Sequence, residues 1–275
     1  MVVQHNLTAA NTNRQLGITT NGLQKSTEKL SSGYKINRAA DDAAGLSISE
    51  KMRNQIRGLN KASDNAQDGI SLVQTAEGAL NEVHSMLQRM SELAVQAANG
   101  TNATTDRTAL NDEVQQLKTE IQRVGSTTQF NKMNILDGGF SAGTKKALQV
   151  GANANQTISI AISALKSVVG SSLIEALKIG TATNAQRAIT TVQSSIEKLS
   201  TLRSKLGAVQ NRLEHTVANL DNISENTQSA ESRIRDTDMA EEMVQYSKNN
   251  ILQQAGQSML AQANQANQGV LSLLQ

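Results

Sequence analysis

Between Leu59 and Ala97, apolar residues recur at steps of three and four, and this pattern constrains the fold more than any other feature of the chain. The mean step is about 3.5 residues, the period of a coiled-coil seam. The seam positions are Leu59, Ala62, Ala66, Ile70, Val73, Ala76, Leu80, Val83, Leu87, Met90, Ala94 and Ala97. The pattern predicts one amphipathic helix over residues 46–98, roughly 80 Å long, which needs other helices beside it to cover its apolar stripe.

A second stretch with the same period begins near Asn184 and predicts another long helix. A shorter helix is expected between them, after a turn at residues 99–102 and with Asp106 as its N-cap. The seam of the second long helix is Ile189, Val192, Ile196, Leu199, Leu202, Leu206, Val209, Leu213, Val217, Leu220 and Ile223, and that of the shorter helix is Leu110, Val114, Leu117, Ile121 and Val124. We therefore expect a mainly α fold, an elongated, coiled-coil-like antiparallel bundle of long helices.

Residues 147–162 depart from the helical period and predict a small β-hairpin. Ile158, Ile160 and Ile162 alternate along one strand, residues 147–150 form the other, and residues 151–155 join them. Residues 163–183 have no clear period, so that a short helix or a loop is compatible with them.

Both ends of the chain are nearly uncharged, since Arg14 is the only charged side chain up to Gln24 and none follows Lys248. Their sparse apolar residues predict weak helices, the first of them interrupted by Gly17 and Gly22. Such ends suit packing against copies of themselves. The candidate assembly residues are Leu7, Leu16, Leu23, Leu30, Ile251, Met259, Val270, Leu273 and Leu274.

A connector of residues 32–46 separates the first of these ends from the first long helix. Gly33 is expected to end the preceding helix, and Asp41 or Asp42 can cap the helix that follows. Two adjacent carboxylates at a helix start are more simply caps than a catalytic pair.

The composition disfavours several classes of function. The three histidines lie far apart and there is no cysteine, so we expect no metal site, no cofactor and no enzyme chemistry. A net charge of +2 gives no reason to expect a nucleic-acid partner. We also expect no membrane span, because no apolar run approaches about 18 residues. The first residues lack the pattern of a secretory signal, which by the ordinary rules indicates a cytoplasmic protein.

Several motifs together resemble those of bacterial flagellins. They are KLSSGYKIN at residues 29–37, DDAAGL at 41–46, NAQDGI at 65–70, TAEGAL at 75–80, LGAVQNRL at 206–213 and AESRIRD at 230–236. The resemblance implies a minimal flagellin, the structural subunit of a flagellar filament, with few residues where many relatives carry outer domains. It implies that residues 1–44 and 235–275 form the inner tube, and that residues 45–234 form the rod domain with a hairpin near 147–162.

The same resemblance implies partners and a location. A flagellin is exported unfolded through the flagellar type III apparatus with a chaperone, and it assembles outside the cell with a cap protein and hook-associated proteins. The vertebrate flagellin-sensing Toll-like receptor would contact Arg89, Leu93, Gln96 and Glu113. From the residues alone, the first three of these form a stripe beside the seam, and an ordinary helix surface with one exposed leucine is the better explanation of that stripe.

Two other classes of protein stay open at this point. A hook–filament junction protein would share the terminal helices and act as an adaptor. A cytoplasmic coiled-coil scaffold would explain the long helices and leave the connector motif and the uncharged ends without a role.

Overall fold

A computed structural model describes residues 6–141, 143–170 and 177–272, with side chains as far as residue 265. The fold is mainly α, as predicted. Its elements are α1 (Leu7–Ser32), α2 (Ala43–Ala98), α3 (Thr104–Thr127), β1 (Gln129–Phe130), β2 (Met133–Asn134), β3 (Lys146–Gln149), β4 (Thr157–Ile160), α4 (Leu165–Val169), α5 (Ala182–Arg235) and α6 (Met239–Ser272). The chain forms two compact units, a core unit of Gln55–Ser224 and a terminal unit of Met1–Asn54 with Glu225–Gln275.

In the core unit, α2 and α5 run antiparallel. The hydroxyl of Ser63 donates a hydrogen bond to Asp221 Oδ1 at 3.0 Å, and that of Ser224 donates to Asn60 Oδ1 at 2.7 Å. Moving three residues forward along α2, from Asn60 to Ser63, corresponds to moving three residues back along α5, from Ser224 to Asp221, as antiparallel helices require. The turn at residues 99–103 reverses the chain and lays α3 along α2, as the bonds from Arg89 to Glu113 and from Arg107 to the Ala97 carbonyl show.

The predicted seams form the core of this unit. Leu80, Val83, Leu87 and the other α2 seam positions are buried, except for the half-buried Ile70. Burying each large aliphatic side chain contributes about 1.5–3 kcal/mol to folding, which stabilises helices whose own propensity is modest.

Two seam assignments on the long helices were wrong. Ile223 is 37% exposed, and Ser224 takes the buried place beside α2. A helix of 3.6 residues per turn drifts away from a 3.5-residue repeat, so the buried stripe moves by one residue near the end of a long helix. Leu93, which the sequence pattern placed on the surface, is only 1% exposed. Because α2 packs against both α3 and α5, its buried face is wider than a two-helix seam.

The predicted β-hairpin is confirmed, with slightly different strand ends. β3 and β4 pair antiparallel from Lys146 opposite Ile160 to Gln149 opposite Thr157. Ile158 and Ile160 are buried in the core, and the alternate residues Thr157 and Ser159 are exposed. Alternating burial of this kind fixes the register, since a slip by one residue would expose both isoleucines.

A second hairpin, β1–β2, escaped the sequence analysis because each strand has two residues. Asn131 and Lys132 form its turn with φ angles of +49° and +61°. Positive φ at both central residues is typical of a type I′ turn, in which glycine is favoured at the second position.

The shorter helix begins at Thr104, so Asp106 is not its N-cap. The carboxylate of Asp106 instead accepts the backbone N–H of Ala103 at 3.1 Å from inside the first turn. Farther along the chain, residues 165–169 form the short helix α4, and residues 171–176 lie outside the described part of the chain.

Candidate functional site

The terminal unit contains an antiparallel pair of helices made from the two ends of the chain. Lys29 Nζ lies 3.3 Å from Glu242 Oε2 near one end of the pair, and Asn6 Nδ2 donates to the Ala263 carbonyl at 3.1 Å near the other. The sum of the paired residue numbers stays nearly constant along the pair, as expected for antiparallel helices.

Glycine does not interrupt α1, contrary to the sequence prediction. A Cβ at Gly22 would lie 3.3 Å from Asn249 Nδ2, and one at Gly256 would lie 3.2 Å from Leu16 Cδ1. Glycine therefore permits α1 and α6 to approach closely, and the contacts offset its low helix propensity. Gly33 ends α1 with a φ of +75°, as predicted.

The candidate assembly residues fall into three groups in this pair. Leu7, Ile251 and Met259 are 73%, 67% and 59% exposed, whereas Leu16, Leu23 and Leu30 are half-buried. The side chain of Val270, and Leu273 and Leu274 entirely, lie outside the described residues. Among the residues that the structure describes, the apolar surface of the pair is thus only partly covered.

The connector pairs with the end of α5 through the backbone. Lys35 N–H donates to the Arg235 carbonyl at 2.6 Å, and Thr237 N–H donates to the Gly33 carbonyl at 3.1 Å. These two bonds join the chain just after α1 to the chain just before α6, so both junctions are held at one place.

Arg235 reinforces this junction with its side chain, which is only 13% exposed. The guanidinium lies 4.7 Å from the centre of the Tyr34 ring, and its Nη1 donates to Glu50 Oε1 at 2.8 Å. Sequence reasoning missed this cluster, although Tyr34 is one of only four aromatic residues in the chain and could have indicated it.

The two adjacent aspartates of the connector have different roles. Asp42 Oδ1 accepts the Gly45 N–H at 2.9 Å and caps α2, as predicted for one of the pair. Asp41 accepts the backbone N–H groups of Arg38 at 3.0 Å and Asn37 at 3.2 Å. These bonds stabilise the charged form and lower the pKa of Asp41.

Arg89 and Glu113 form an ion pair between α2 and α3. Arg89 Nε donates to Glu113 Oε1 at 2.9 Å, and its Nη1 donates to Glu92 Oε2 at 3.1 Å. The bond with Glu113, and then that with Glu92, raises the pKa of Arg89. We call the exposed surface around this pair the Arg89 face.

The structure separates the residues predicted for this face. Arg89, Gln96 and Glu113 are exposed, and Leu93 belongs to the core. The exposed apolar residue is Val95, at 56%. A shallow groove beside the face is lined by Gln88, Ser91, Glu92, Val95, Gln96 and Ile196.

Within the described part of the chain, no three metal-binding side chains come together. None of the described helices has a stretch long and apolar enough to cross a bilayer.

Two family models match the sequence. The bacterial flagellin N-terminal helical region matches residues 3–141, and the bacterial flagellin C-terminal helical region matches residues 189–274. The chain belongs to the bacterial flagellin family. Flagellins are structural proteins of the flagellum, and the resemblance seen in the motifs is confirmed.

Relatives of this flagellin match it from end to end. A flagellin of Halalkalibacterium halodurans is 57% identical over 274 residues, covering 100% of both chains. The flagellar filament 31.3 kDa core protein of Treponema maltophilum is 48% identical over 288 residues, again covering 100% of both. Of the three classes left open by the sequence, the family match selects flagellin.

Solved structures agree with the fold of this flagellin. The crystal structure of Bacillus cereus flagellin superposes with a TM-score of 0.51 at 32% identity, covering 57% of this chain and 88% of that one. A Vibrio parahaemolyticus protein described as flagellar hook-associated has a TM-score of 0.61 and covers 71% of this chain and 100% of that one. Its 10% identity supports a shared fold and nothing about function.

Proposed function

We propose that this flagellin is a structural subunit of the flagellar filament and polymerises through α1 and α6. The observation that carries the proposal is where large apolar side chains are exposed. Among the described residues, eight of the twelve lie on these two helices. They are Leu7, Ile18, Met239, Met243, Val244, Ile251, Leu252 and Met259.

A pair of helices with so much uncovered apolar surface gains little from folding alone. Ser26 is the only fully buried residue of α1 among those described. Ordering a backbone residue costs about 1–2 kcal/mol, which buried area must offset. Exposed apolar side chains in this number mark an interaction surface, and other copies of the same pair can cover it. If one side of the pair packs on a different side of the next copy, the contact is heterologous and repeats without closing, which gives an open-ended helical polymer.

The family supplies the rest of the proposed assembly. Residues 1–44 with 235–275 form the inner tube, and residues 45–234 form the surrounding rod layer. The subunit is exported unfolded through the flagellar type III apparatus, bound beforehand by a chaperone. It then joins an extracellular filament that also contains a cap and hook-associated proteins.

Electron microscopy and sedimentation under assembly-promoting salt test the proposal. The full chain should form long filaments, whereas a chain lacking residues 1–44 and 235–275 should stay small. A sharper comparison replaces the exposed Val244 and Ile251 with serine, which removes apolar contact area and should abolish filament growth. The matched control, Gln257→Ser on the same helix, should polymerise normally.

Small discrete oligomers of the full chain would contradict the filament proposal. They would favour an adaptor at the hook–filament junction or a coiled-coil scaffold. Normal filaments from the Val244→Ser, Ile251→Ser variant would show that α6 is not the assembly surface.

Recognition by the vertebrate flagellin-sensing Toll-like receptor is a second proposed function, favoured by the exposed Arg89 face. Arg89, Gln96 and Glu113 offer charged and amide groups to a partner, and Leu93 supports them from the core. Arg89→Ala should weaken binding of the monomer to the receptor ectodomain. Lys61→Ala, which also removes an exposed, ion-paired cation from α2, should leave it unchanged. Equal binding of both variants would refute the assignment.

A substitution of Leu93 affects the stability of the fold as well as receptor binding, so both must be measured. Truncating a buried leucine to alanine costs about 2–5 kcal/mol of stability. A Leu93→Ala variant should therefore lose receptor binding together with thermal stability, whereas Arg89→Ala should lose binding alone.

A further inference from the structure

The turn between α2 and α3 contains one of the two Asn-Gly dipeptides in the sequence. Asn99 and Gly100 follow the last residue of α2, and both are exposed. Nothing lies within 4 Å of the position that a Cβ would take at Gly100. The other dipeptide, Asn21-Gly22, lies inside α1, where the backbone N–H groups are engaged with the preceding turn.

Hydrogen bonds hold the turn and leave its reactive groups free. Asn99 N–H donates to the Gln96 carbonyl at 3.2 Å, and Asn102 Nδ2 donates to the same oxygen at 2.6 Å. In the described part of the chain, neither the Gly100 N–H nor the Asn99 side-chain amide makes a hydrogen bond. A backbone nitrogen without a bond can approach the neighbouring side-chain carbonyl.

The positively charged guanidinium of Arg107 lies against the peptide group that joins Asn99 to Gly100, the group that would react. Its Nη2 donates to the main-chain oxygen of Asn99 at 3.0 Å, and its Nε donates to the Ala97 carbonyl at 3.0 Å. When the Gly100 nitrogen loses its proton, negative charge develops on the oxygen that Arg107 holds. A charge-assisted hydrogen bond already in place stabilises that charge.

We propose that Asn99 is a self-modification site, in which the Gly100 nitrogen attacks the Asn99 side chain with assistance from Arg107. The Gly100 nitrogen gives its proton to water and forms a bond to Asn99 Cγ. The Cγ–Nδ2 bond breaks, and the nitrogen takes up a proton and leaves as ammonia. The resulting succinimide adds one water molecule and opens to aspartate or isoaspartate. The attack is intramolecular, so proximity replaces an encounter between molecules.

The modification changes the charge next to the Arg89 face. Each converted chain gains one carboxylate at residue 99, close in sequence to the exposed Gln96. In the isoaspartate product the main chain runs through Cβ, which displaces the carbonyl that Arg107 binds. The fraction of chains converted therefore increases with the age of the protein. In each converted chain, the new carboxylate changes the charge at the end of this surface.

Peptide mapping by mass spectrometry tests the proposal on the folded full-length chain in mildly alkaline buffer. Asparagine, aspartate and isoaspartate at residue 99 are quantified over time, in buffer and in urea. We expect Asn99 to convert in the folded chain, and Arg107→Gln to slow that conversion several-fold. In urea, where Arg107 is no longer held on the carbonyl, both chains should convert at one rate. An intact Asn99 in the folded chain, beside conversion in urea, would overturn the site.

Two further variants separate electrostatic assistance from damage to the turn. Arg107→Lys keeps a cationic donor for the Asn99 carbonyl and should slow conversion less than Arg107→Gln does. Equal rates for the wild type and Arg107→Gln in buffer, or equal slowing by both variants, would overturn the role of the guanidinium. Gly100→Ala puts a Cβ on the attacking residue and should reduce conversion in both buffer and urea. Circular dichroism verifies that each variant keeps its helix content.

Discussion

At the scale of the residue, the exposed pair of Glu120 and Arg123 on α3 predicts a pH dependence. Arg123 Nε donates to Glu120 Oε2 at 2.8 Å, and this bonding lowers the pKa of Glu120 from its ordinary value of 4.5. Because the folded chain favours the charged form of Glu120, the pair stabilises the fold at pH values above that ordinary pKa. The contribution is lost as the pH falls through the lower pKa of the folded state.

A carboxyl titration by NMR checks this expectation. The midpoint of Glu120 should lie lower in the folded chain than in urea, and Arg123→Gln should move it back towards 4.5. Equal midpoints in the folded wild type and the variant would show that the pair is too mobile in solution to matter.

The turn of the β1–β2 hairpin predicts a stabilising substitution. Lys132 holds a φ of +61°, where a side chain with a Cβ is strained and glycine is not. Lys132→Gly should raise the free energy of unfolding by about 0.5–1 kcal/mol in urea titrations. Lys132→Ala removes the amine and keeps the Cβ, so it should give no gain; an equal gain would assign the effect to the charge.

At the scale of the element, two glycines of α2 predict opposite effects. Gly78 is exposed with open space at its Cβ position, so Gly78→Ala should stabilise the helix by about 1 kcal/mol. A Cβ at Gly58 would lie 2.9 Å from Ala152 Cβ and 3.3 Å from Ala152 Cα. Gly58→Ala should therefore destabilise the chain by about 1–2 kcal/mol, because the hairpin loop must move away.

The unfolding temperatures of the two variants test this prediction: that of Gly78→Ala should rise above the wild-type value, and that of Gly58→Ala should fall below it. A rise in the unfolding temperature for both would mean that helix propensity alone decides, and that the loop at residues 151–155 does not press against α2.

At the scale of the whole molecule, apolar side chains are buried unevenly, and this predicts two levels of protection of backbone amides from hydrogen exchange. The core unit has a continuous apolar core, including Val83, Leu87 and Leu202. The terminal helices have almost none among the described residues. In dilute monomer, amide exchange should be slow in the core unit and fast in residues 1–44 and 235–275. In filaments the terminal residues should become protected, and protected ends in dilute monomer would contradict this prediction.

Local patterns determined much of the fold. The period of the long seams gives α2 and α5, the alternating isoleucines give the β3–β4 hairpin, and Gly33 gives the end of α1. These features depend on residues close together in the chain, whose periodicity and turn chemistry can be read directly. The family motifs and the uncharged ends likewise indicate a filament protein without reference to any tertiary contact.

Tertiary packing decided the rest. Leu93 is buried because two helices cover α2, and Gly22 lies within a continuous helix because Asn249 packs beside it. The junction of Tyr34, Arg235 and Glu50 joins residues about 200 positions apart in the chain, and so does the pairing of α1 with α6. Arg107 reaches the Asn99 carbonyl only after the turn has formed. A sequence shows which side of a helix is apolar, but only the folded chain shows how many neighbours cover it and which distant groups meet.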